Sequence, residues 1–417
     1  MTILERVARD SVARNEYMTF RANAGVGRHG WLRLTPAYGV KVVRERLELL
    51  EPGSVVTDPF SGTGTTPLAA AEYGHLGQSV DVNPFLVWLG NAKTRDYQED
   101  IEATLLGAVS DVVDTAQSFP ARDRLWQPDI FRIERWWSPG SLHGLRTLRA
   151  SIDTYNGDIR DLLEILLCRT LIASSSAAFN HQSMSFKDIA PGTRFKATDD
   201  DATIALFLAG AADLASSASS TLAGSAAVRL GDSRTGLADL EPADLVLTSP
   251  PYCNRMSYIR ELRPYMYWTR YLDAPSDAGD LDWRAIGGTW GTATSKLASW
   301  AAEHPTPIDS QLLAVCENIS RDGGKSGPVL AAYVHKYHYD MWLHFQAAAG
   351  HVKPGGSVSY IVGNSTFSGH EVPVQKWYAD MLSALGYVDV TVQTIRKRNS
   401  NKALYEYDVS GRRPSFS

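Results

Sequence analysis

A short turn, Ser249-Pro250-Pro251-Tyr252, has the residue types best suited to chemistry in this chain. It follows the apolar run 243–247, a pattern that predicts a buried strand ending at the turn. Two consecutive prolines fix φ at about −65° and lack N–H groups, so the carbonyl oxygens of Ser249 and Pro250 are left as acceptors. Tyr252 adds a flat aromatic face. A planar amine could bind here, although these residues alone are also typical of a simple turn that caps a strand.

A glycine-rich turn upstream provides a second group of candidate residues. The β-branched residues 55–57 predict a strand that leads into the segment 58–66, Asp-Pro-Phe-Ser-Gly-Thr-Gly-Thr-Thr. Gly62 and Gly64 permit positive φ and a close backbone approach, and the helix that follows would present its N-terminal amides to a ligand. A further strand ends at Asp81, roughly 20 residues after the glycines, where a βαβ unit holds a ribose hydroxyl. The order of these features predicts a nucleotide-like cofactor, although the full six-residue dinucleotide fingerprint is absent and a purely structural turn is the alternative.

The two segments together resemble the S-adenosylmethionine-dependent amino-methyltransferases of DNA, which modify N4 of cytosine or N6 of adenine. Residues 58–66 and 248–252 carry the resemblance. It implies that the glycine-rich segment surrounds the methionine part of the cofactor, that Asp81 binds ribose and that residues 231–233 contact adenine. The turn from Ser249 to Tyr252 would receive a flipped base. Its Ser-Pro-Pro-Tyr form is closer to the N4-cytosine members, because N6-adenine members usually carry Asp or Asn at the first position.

The resemblance assigns a role to each matching residue and implies S-adenosylmethionine as the cofactor. The predicted catalytic residues are Ser249, Pro250, Pro251 and Tyr252. The predicted cofactor-binding residues are Asp58, Phe60, Ser61, Gly62, Thr63, Gly64, Thr65, Asp81, Asn83, Asp232 and Ser233. No metal is expected, since the three cysteines lack a metal-ligand spacing.

The chemistry of such a turn also follows from its residue types. An exocyclic amine is a poor nucleophile because its lone pair is delocalised into the ring, and two acceptors on its N–H groups would stabilise the charge that develops during attack. Ser249 Oγ and the Pro250 carbonyl are the two expected acceptors, and Tyr252 would stack on the extruded base. Cys253 has no adjacent activating base, so a cysteine nucleophile for carbon-5 methylation is not expected.

Other functions fit the same residues. Adenine offers an exocyclic amine as cytosine does, so an N6-adenine methyltransferase is the first alternative, followed by a methyltransferase of RNA or of protein amides. A cofactor-binding regulator without turnover, or a specificity module of a restriction assembly, belongs to a different class. Double-stranded DNA is the expected partner, with a cognate restriction endonuclease as a further one.

The net charge of −5 over 417 residues does not favour a nucleic-acid-binding protein, but binding depends on local charge. One candidate basic surface comprises Arg255, Arg260, Arg263 and Arg270, interleaved with Tyr258, Tyr265, Tyr267, Trp268 and Tyr271. A second comprises residues 396–398 with Lys402. Solvated charges and ordinary core aromatics are the alternative interpretation. Three cysteines, no signal-peptide pattern and no apolar run of membrane length predict a cytoplasmic protein that does not bind a membrane.

Alternating strand and helix patterns predict an α/β fold, a Rossmann-like doubly wound and mostly parallel sheet with two insertions. The predicted divisions are an N-terminal arm (1–28), catalytic parts (29–94, 225–255 and 329–417), a helical insertion (95–224) and a second insertion (256–328) that is the candidate for target recognition. Within the helical insertion we expect one long helix over residues 202–222 and a binding loop over residues 174–187. Tyr38 is a further candidate for the cofactor site.

Overall fold

The structure, a computed structural model, describes residues 18–32, 34, 37–120, 124–178, 185–186, 200–254, 257–289, 292–398 and 403–415. Its strands are β1 (Val55–Asp58), β2 (Leu76–Asp81), β3 (Ala177–Ala178), β4 (Ser185–Phe186), β5 (Ser225–Leu230), β6 (Ala243–Thr248), β7 (Val352–Gly363), β8 (Ser365–Phe367), β9 (His370–Val372), β10 (Val388–Lys397) and β11 (Tyr405–Arg412). Its α-helices are α1 (Val40–Leu47), α2 (Thr65–Glu72), α3 (Pro84–Thr94), α4 (Ile101–Ser118), α5 (Pro139–Ile152), α6 (Gly157–Ala173), α7 (Asp200–Ala209), α8 (Ala211–Ala218), α9 (Tyr258–Trp268), α10 (Pro275–Arg284), α11 (Thr292–Leu297), α12 (Asp309–Asp322), α13 (Gly327–His351) and α14 (Val374–Ala384).

Seven of these strands form one sheet in the order β10-β11-β7-β6-β1-β2-β5. The five strands from β7 to β5 are mutually parallel, whereas β11 and β10 are antiparallel additions at one edge. β1 is buried along its whole length, as expected for a β-branched strand covered on both faces. The predicted α/β class with a mostly parallel, doubly wound sheet is therefore confirmed.

The direction of strand addition reverses at β1. From β1 the chain adds β2 and then β5 on one side, and it adds β6 and β7 on the other. In sheets of this kind the crevice at the reversal point opens at the carboxyl ends of the two central strands. The loops that follow β1 and β6 therefore lie next to each other at one edge of the sheet.

Helices cover both faces of the sheet. On one face α1 and α2 pack against β1 and β6 through an apolar cluster that includes Val43, Ala70 and Leu247. On the other face α12, α13 and α14 pack against β6 and β7 in a larger cluster that includes Val246 and Met341. Because both faces are buried, the two central strands are fixed in position relative to the loops that follow them.

The helical insertion contains α4 to α8, and its apolar core continues into Phe85 of α3 and Trp268 of α9. The single helix expected over residues 202–222 is wrong, because α7 and α8 are separated at Gly210. A Cβ at Gly210 would lie 3.2 Å from the end of the Leu166 side chain, so glycine permits a close contact with α6 at this point. Of the expected binding loop 174–187, residues 179–184 and 187 lie outside the described residues, and its ends pair as β3 and β4.

One stretch among the described residues, Asp200–Ala218, is long and apolar enough to cross a membrane by length and composition. It was not expected from the sequence. However, 44% of its window is buried inside the protein, and Phe207 and Leu214 belong to the core of the helical insertion. These properties are typical of core helices, so the architecture is compatible with a soluble protein.

Candidate functional site

The glycine-rich turn and the Ser-Pro-Pro-Tyr turn line the same cavity, which has a volume of about 510 Å³. The cavity lies where the loops after β1 and β6 meet. The predicted residues on its wall are Phe60, Gly62, Asp81, Asn83, Asp232, Ser233, Ser249, Pro250, Pro251 and Tyr252. The other predicted residues, Asp58, Ser61, Thr63, Gly64 and Thr65, are buried and do not line this cavity.

The glycine-rich turn has the conformation that its glycines were expected to permit. Gly62 and Gly64 have φ values of 50° and 73°, and Gly64 is the N-cap of α2. A Cβ at Gly64 would lie 3.2 Å from Gly90 Cα, so α3 packs directly against the turn. The buried Lys93 of α3 donates to the Thr63 carbonyl at 2.9 Å, and burial lowers the pKa of this lysine to about 7. The turn is therefore held by contacts with α3, while Gly62 faces the cavity.

Asp81, at the end of β2, connects the glycine-rich turn to the next loop. Its Oδ2 accepts from the Gly62 amide and its Oδ1 from the Asn83 amide, both at 2.9 Å. Burial, together with the nearby Asp58 carboxylate, raises the pKa of Asp81 to about 7, although its hydrogen bonds with backbone amides act in the opposite direction. A carboxylate can accept about four hydrogen bonds. The bonds to backbone amides therefore leave capacity for a further hydroxyl group from the cavity side.

Asp58 joins the two turns through a single side chain. Its Oδ1 accepts from the Thr248 hydroxyl at 2.5 Å and from the Phe60 amide at 3.0 Å, although Thr248 is 190 residues away in sequence. Its Oδ2 is buried without a hydrogen-bond partner among the described residues. Burial raises the pKa of Asp58 to about 6. The carboxylate thus fixes the end of β6, one residue before Ser249, relative to the end of β1.

Asp232 lines the cavity, but Arg234 uses much of the hydrogen-bonding capacity of its carboxylate. Arg234 donates to Asp232 from its backbone amide, Nε and Nη2 at 2.6–3.2 Å, and its Nη1 donates to Asp340 at 2.9 Å. Burial raises the pKa of Asp232, but the hydrogen bonds and charge of Arg234 outweigh this effect and lower it overall. Arg234 was not expected from the sequence as a partner of Asp232, although an arginine two residues after an aspartate is a local signal.

His344 supports the same loop from α13. Its Nδ1 lies 3.2 Å from the Ser233 carbonyl and its Nε2 lies 2.9 Å from the Tyr360 hydroxyl. Burial lowers the pKa of His344 to about 4, so the ring is neutral at physiological pH. Phe60 packs against this ring edge-on, with a centroid distance of 4.8 Å. A neutral histidine therefore links the glycine-rich turn to the loop after β5.

The Ser-Pro-Pro-Tyr turn is held by hydrogen bonds on several sides. Ser249 Oγ donates to the Ile361 carbonyl at 3.1 Å, which leaves the oxygen lone pairs of the serine as acceptors. The Pro251 carbonyl accepts from the Tyr337 hydroxyl at 2.7 Å, and the Tyr252 amide donates to the Tyr258 hydroxyl at 3.0 Å. Within the part of the chain that the structure describes, no hydrogen bond reaches the Pro250 carbonyl. The two acceptors expected from the sequence thus retain capacity for a ligand.

Tyr252 is packed between the sheet and a cation. The Arg398 guanidinium lies 5.2 Å from the ring centroid. A Cβ at Gly363 would lie 3.2 Å from the ring and 2.9 Å from the guanidinium, so glycine permits this arrangement at the end of β7. Burial raises the pKa of Tyr252, which keeps the phenol neutral. The sequence had no local signal for the contact between Tyr252 and Arg398.

The first predicted basic surface is only partly accessible. Tyr265, Tyr267 and Trp268 were expected as stacking residues, but all three belong to the apolar core because α9 packs that face against the helical insertion. Arg270 is paired with Asp153 at 2.8 Å. Arg255 lies outside the described residues.

The second predicted basic surface borders the cavity. Arg396 donates to both carboxylate oxygens of Glu406 at 2.5–2.7 Å, and Arg398 contacts Tyr252. Lys402 lies outside the described residues. Two further arginines, Arg21 and Arg284, line the cavity and were not identified from the sequence. The cavity wall therefore carries four arginines, one of them paired with Glu406, together with the carboxylates of Asp81, Asp232 and Glu406.

Tyr38 lies on the cavity wall, and its hydroxyl is hydrogen-bonded to Thr66 of α2. Met18 and Thr19, within the predicted N-terminal arm (1–28), also line the cavity, whereas residues 1–17 are not among those described. Cys253 is buried and is not on this wall, and burial raises the pKa of its thiol. Among the described residues, no group of three or more His, Cys, Asp or Glu side chains could hold a metal ion.

A scan against protein-family models gave no match, and a search of curated proteins gave no match either. The chemical assignment of the cavity therefore depends on the residues that line it and on their geometry.

Proposed function

We propose that this protein is an S-adenosylmethionine-dependent DNA methyltransferase that modifies the N4 amine of a flipped cytosine. The observation that carries the proposal is the single cavity shared by Gly62 and Tyr252, at the carboxyl ends of two adjacent parallel strands. The bond between Asp58 and Thr248 keeps the two turns at a fixed separation. A site for one small molecule beside a site for one planar base is what methyl transfer to a nucleobase requires.

The first half of the cavity fits the cofactor. Gly62, which has no side chain to cover its backbone, lies on the cavity wall with a positive φ. The Asp81 carboxylate retains capacity to accept a hydrogen bond from a ribose hydroxyl. Asp232 and Asn83 on the same wall would contact the adenine. When bound, S-adenosylmethionine would supply the methyl group, its sulfur keeping the electron pair of the broken bond while the amine nitrogen forms the new bond and releases a proton to water.

The second half of the cavity fits a planar amine. Ser249 Oγ, which already donates to the Ile361 carbonyl, presents lone pairs to one N–H group, and the Pro250 carbonyl accepts from the other. Both acceptors stabilise positive charge on the nitrogen as it attacks. Tyr252 provides the face on which the base stacks, and Arg398 supports the ring. No covalent bond to the protein is needed, in agreement with the buried thiol of Cys253.

Nucleoside mass spectrometry tests the proposal directly. DNA and RNA of mixed sequence would be incubated with the protein and methyl-labelled cofactor, then digested to nucleosides. We expect label in N4-methylcytosine from DNA. Label in N6-methyladenine would correct the base, and label only in RNA would correct the polymer. Cofactor binding without label in either polymer would contradict an enzymatic function and support a regulator or specificity module.

Serine substitutions provide a matched comparison for the same assay. Ser249→Ala removes one of the two acceptors for the amine, and we expect label incorporation to fall at least about tenfold. Ser383→Ala removes an exposed hydroxyl that donates only within its own helix α14, and it should leave incorporation unchanged. Equal activity of the two variants would exclude Ser249 from the reaction.

A methyltransferase with three unpaired cysteines is suited to a reducing cytoplasm, where we place this protein.

A further inference from the structure

An exposed aromatic loop projects from the helical insertion between α4 and α5. We define the aromatic loop as residues 124–138. Trp136 and Trp137 in this loop are buried, whereas Phe131 is 80% exposed and Trp126 is 41% exposed. Large aromatic side chains on a surface are typical of interaction sites. The same short segment therefore anchors itself with two tryptophans and leaves two other aromatic rings accessible.

The anchoring contacts hold the aromatic loop against α9. Trp137 donates from Nε1 to the Leu171 carbonyl at 3.0 Å, and its ring lies 5.7 Å from that of Trp268. Trp126 also packs edge-on against Trp268, at 6.1 Å. Arg146 of α5 donates twice to the Leu125 carbonyl. The exposed rings are thus displayed from a fixed base.

Backbone strain at the tip supports a role for the exposed ring. Arg132 has a φ of 51°, a left-handed conformation that is unfavourable for a residue with a Cβ. This turn leaves Phe131 exposed with the Arg132 guanidinium 5.1 Å from its ring centroid. Backbone conformations of this kind are concentrated at active sites and ligand-binding segments.

Arginines lie beside three of the four aromatic rings of the loop, and the ring of Trp136 among them is buried. The Arg263 guanidinium lies 5.5 Å from the Trp136 ring, and that of Arg270 lies 4.5 Å from the Trp126 ring. Asp129 and Glu134 are the exposed carboxylates of the loop, and Arg270 is paired with Asp153. Arginines beside aromatic rings are suited to phosphate contact combined with stacking on bases or sugars.

The aromatic loop lies within reach of a duplex bound at the cavity. α9 begins at Tyr258, which binds the backbone of Tyr252, and it ends at Trp268, on which the loop packs. A helix rises about 1.5 Å per residue, so these two ends are roughly 15 Å apart. One turn of duplex DNA spans about 34 Å. The base of the aromatic loop therefore lies within the length of one duplex turn from the cavity, measured along α9.

We propose that the aromatic loop binds the DNA that flanks the flipped base. Phe131 contacts a base step or sugar, and Arg132 contacts a phosphate. The inference rests on the proposed function, because it takes DNA as the substrate, but it concerns the helical insertion rather than the second insertion expected to recognise the target. A protein partner would also fit exposed aromatic rings, but the exposed Arg132 beside Phe131, within one duplex turn of the cavity, favours a polyanion.

The experiment measures binding of a fluorescently labelled, mixed-sequence duplex by anisotropy at several salt concentrations. We expect Phe131→Ala to weaken binding by about 5- to 50-fold, as for loss of one stacked ring. Arg132→Ala should reduce the slope of log affinity against log salt concentration by about the amount expected for one phosphate contact. Leu49→Ala is the matched control, because Leu49 is 84% exposed but precedes β1 and so lies near the amino ends of the strands. Calorimetry with S-adenosylmethionine should give unchanged affinity for all three variants.

The outcomes separate this inference from the proposed function. Equal duplex affinity of Phe131→Ala and Leu49→Ala, in a protein that methylates DNA, would overturn the role of the loop and leave it as a surface for a protein partner. A wild-type protein that neither binds nor methylates the duplex would overturn the proposed function and this inference together. Loss of cofactor affinity in Phe131→Ala would show that the substitution disturbs the fold. Phe131→Ser would then be measured in the same assay. For the proposal to stand, this second variant must weaken duplex binding and keep the cofactor affinity of the wild type.

Discussion

Asp58 and Asp81 are both buried near the glycine-rich turn, yet their hydrogen bonds give them different roles. Asp58 is turned inward, where Thr248 and Phe60 share one of its oxygens. Asp81 reaches the cavity while its two oxygens hold the amides of Gly62 and Asn83. The same residue type therefore fixes the framework at one position and remains able to bind a ligand at the other.

Removing the Asp81 carboxylate tests its role in binding the cofactor. We expect Asp81→Ala to weaken S-adenosylmethionine binding at least about tenfold, because hydrogen bonds to a charged group contribute ~1.5–3 kcal/mol. Isothermal calorimetry measures the affinity. Asp239→Ala, at an exposed position, is the control and should bind the cofactor like the wild type. Unchanged affinity of Asp81→Ala would remove this residue from the site.

The ring of Tyr252 is expected to serve the base rather than the cofactor. Tyr252→Ala should lower kcat/KM for DNA methylation by about 5- to 150-fold, which corresponds to the loss of ~1–3 kcal/mol of stacking. Tyr252→Phe keeps the ring and should retain most of the activity. The cofactor affinity of both variants, measured by calorimetry, should equal that of the wild type. A large loss of cofactor affinity would instead place the tyrosine in the first half of the cavity.

At the scale of secondary-structure elements, the Ser-Pro-Pro-Tyr turn is held by helices from both sides. Tyr337 of α13 donates to the Pro251 carbonyl, and its hydroxyl also lies 2.7 Å from that of Tyr378 in α14. Tyr258, the first residue of α9, accepts from the Tyr252 amide. Since prolines cannot donate backbone hydrogen bonds, contacts with neighbouring helices replace those that a longer strand would have provided.

The hydroxyl of Tyr337 is therefore expected to position the turn. Tyr337→Phe leaves the Pro251 carbonyl without its donor, so we expect kcat to fall about tenfold and the free energy of unfolding to fall by ~1–3 kcal/mol. KM for the cofactor should not change. Tyr387→Phe is the control, because the buried Tyr387 hydroxyl has no hydrogen-bond partner among the described residues. If both variants retain full kcat, the contact is structural only.

At the scale of the whole molecule, a doubly wound sheet concentrates buried titratable groups at the carboxyl ends of its strands. Burial raises the pKa of Asp58 to about 6 and that of Asp81 to about 7. In an unfolded chain both groups titrate at about pH 4. The folded protein without cofactor therefore binds protons more tightly, and the stability that these groups contribute below about pH 4 is lost as the pH rises through 6 and 7.

This linkage predicts a pH-dependent difference between wild type and Asp81→Asn. As the pH rises from about 5 to about 8, we expect the variant to become more stable relative to the wild type by on the order of 1–2 kcal/mol. Urea unfolding of the cofactor-free proteins measures the difference. His344 and Lys93 have lowered pKa values and act in the opposite sense, but they are common to both proteins. Parallel pH profiles would contradict the raised pKa of Asp81, and Asp239→Asn should give such a profile.

The sequence by itself determined the class of the fold and the local conformation of both turns. Glycines at 62 and 64, paired prolines at 250 and 251, and buried β-branched strands impose their geometry through bonds and sterics within a few residues. The order of strands and helices then required that these turns follow parallel strands. Predictions of this kind succeed because the interactions that decide them are close in sequence.

Only the tertiary structure decided which distant side chains complete the cavity. The contact of Asp58 with Thr248, the placement of Arg398 on Tyr252 and the hydrogen bond from Tyr337 to Pro251 all join residues far apart in sequence. The register of the strands and the packing of helices on both faces of the sheet set such contacts. For the same reason the sequence left the aromatic residues of α9 open between a basic surface and ordinary core, whereas packing against the helical insertion places Tyr265, Tyr267 and Trp268 in the core.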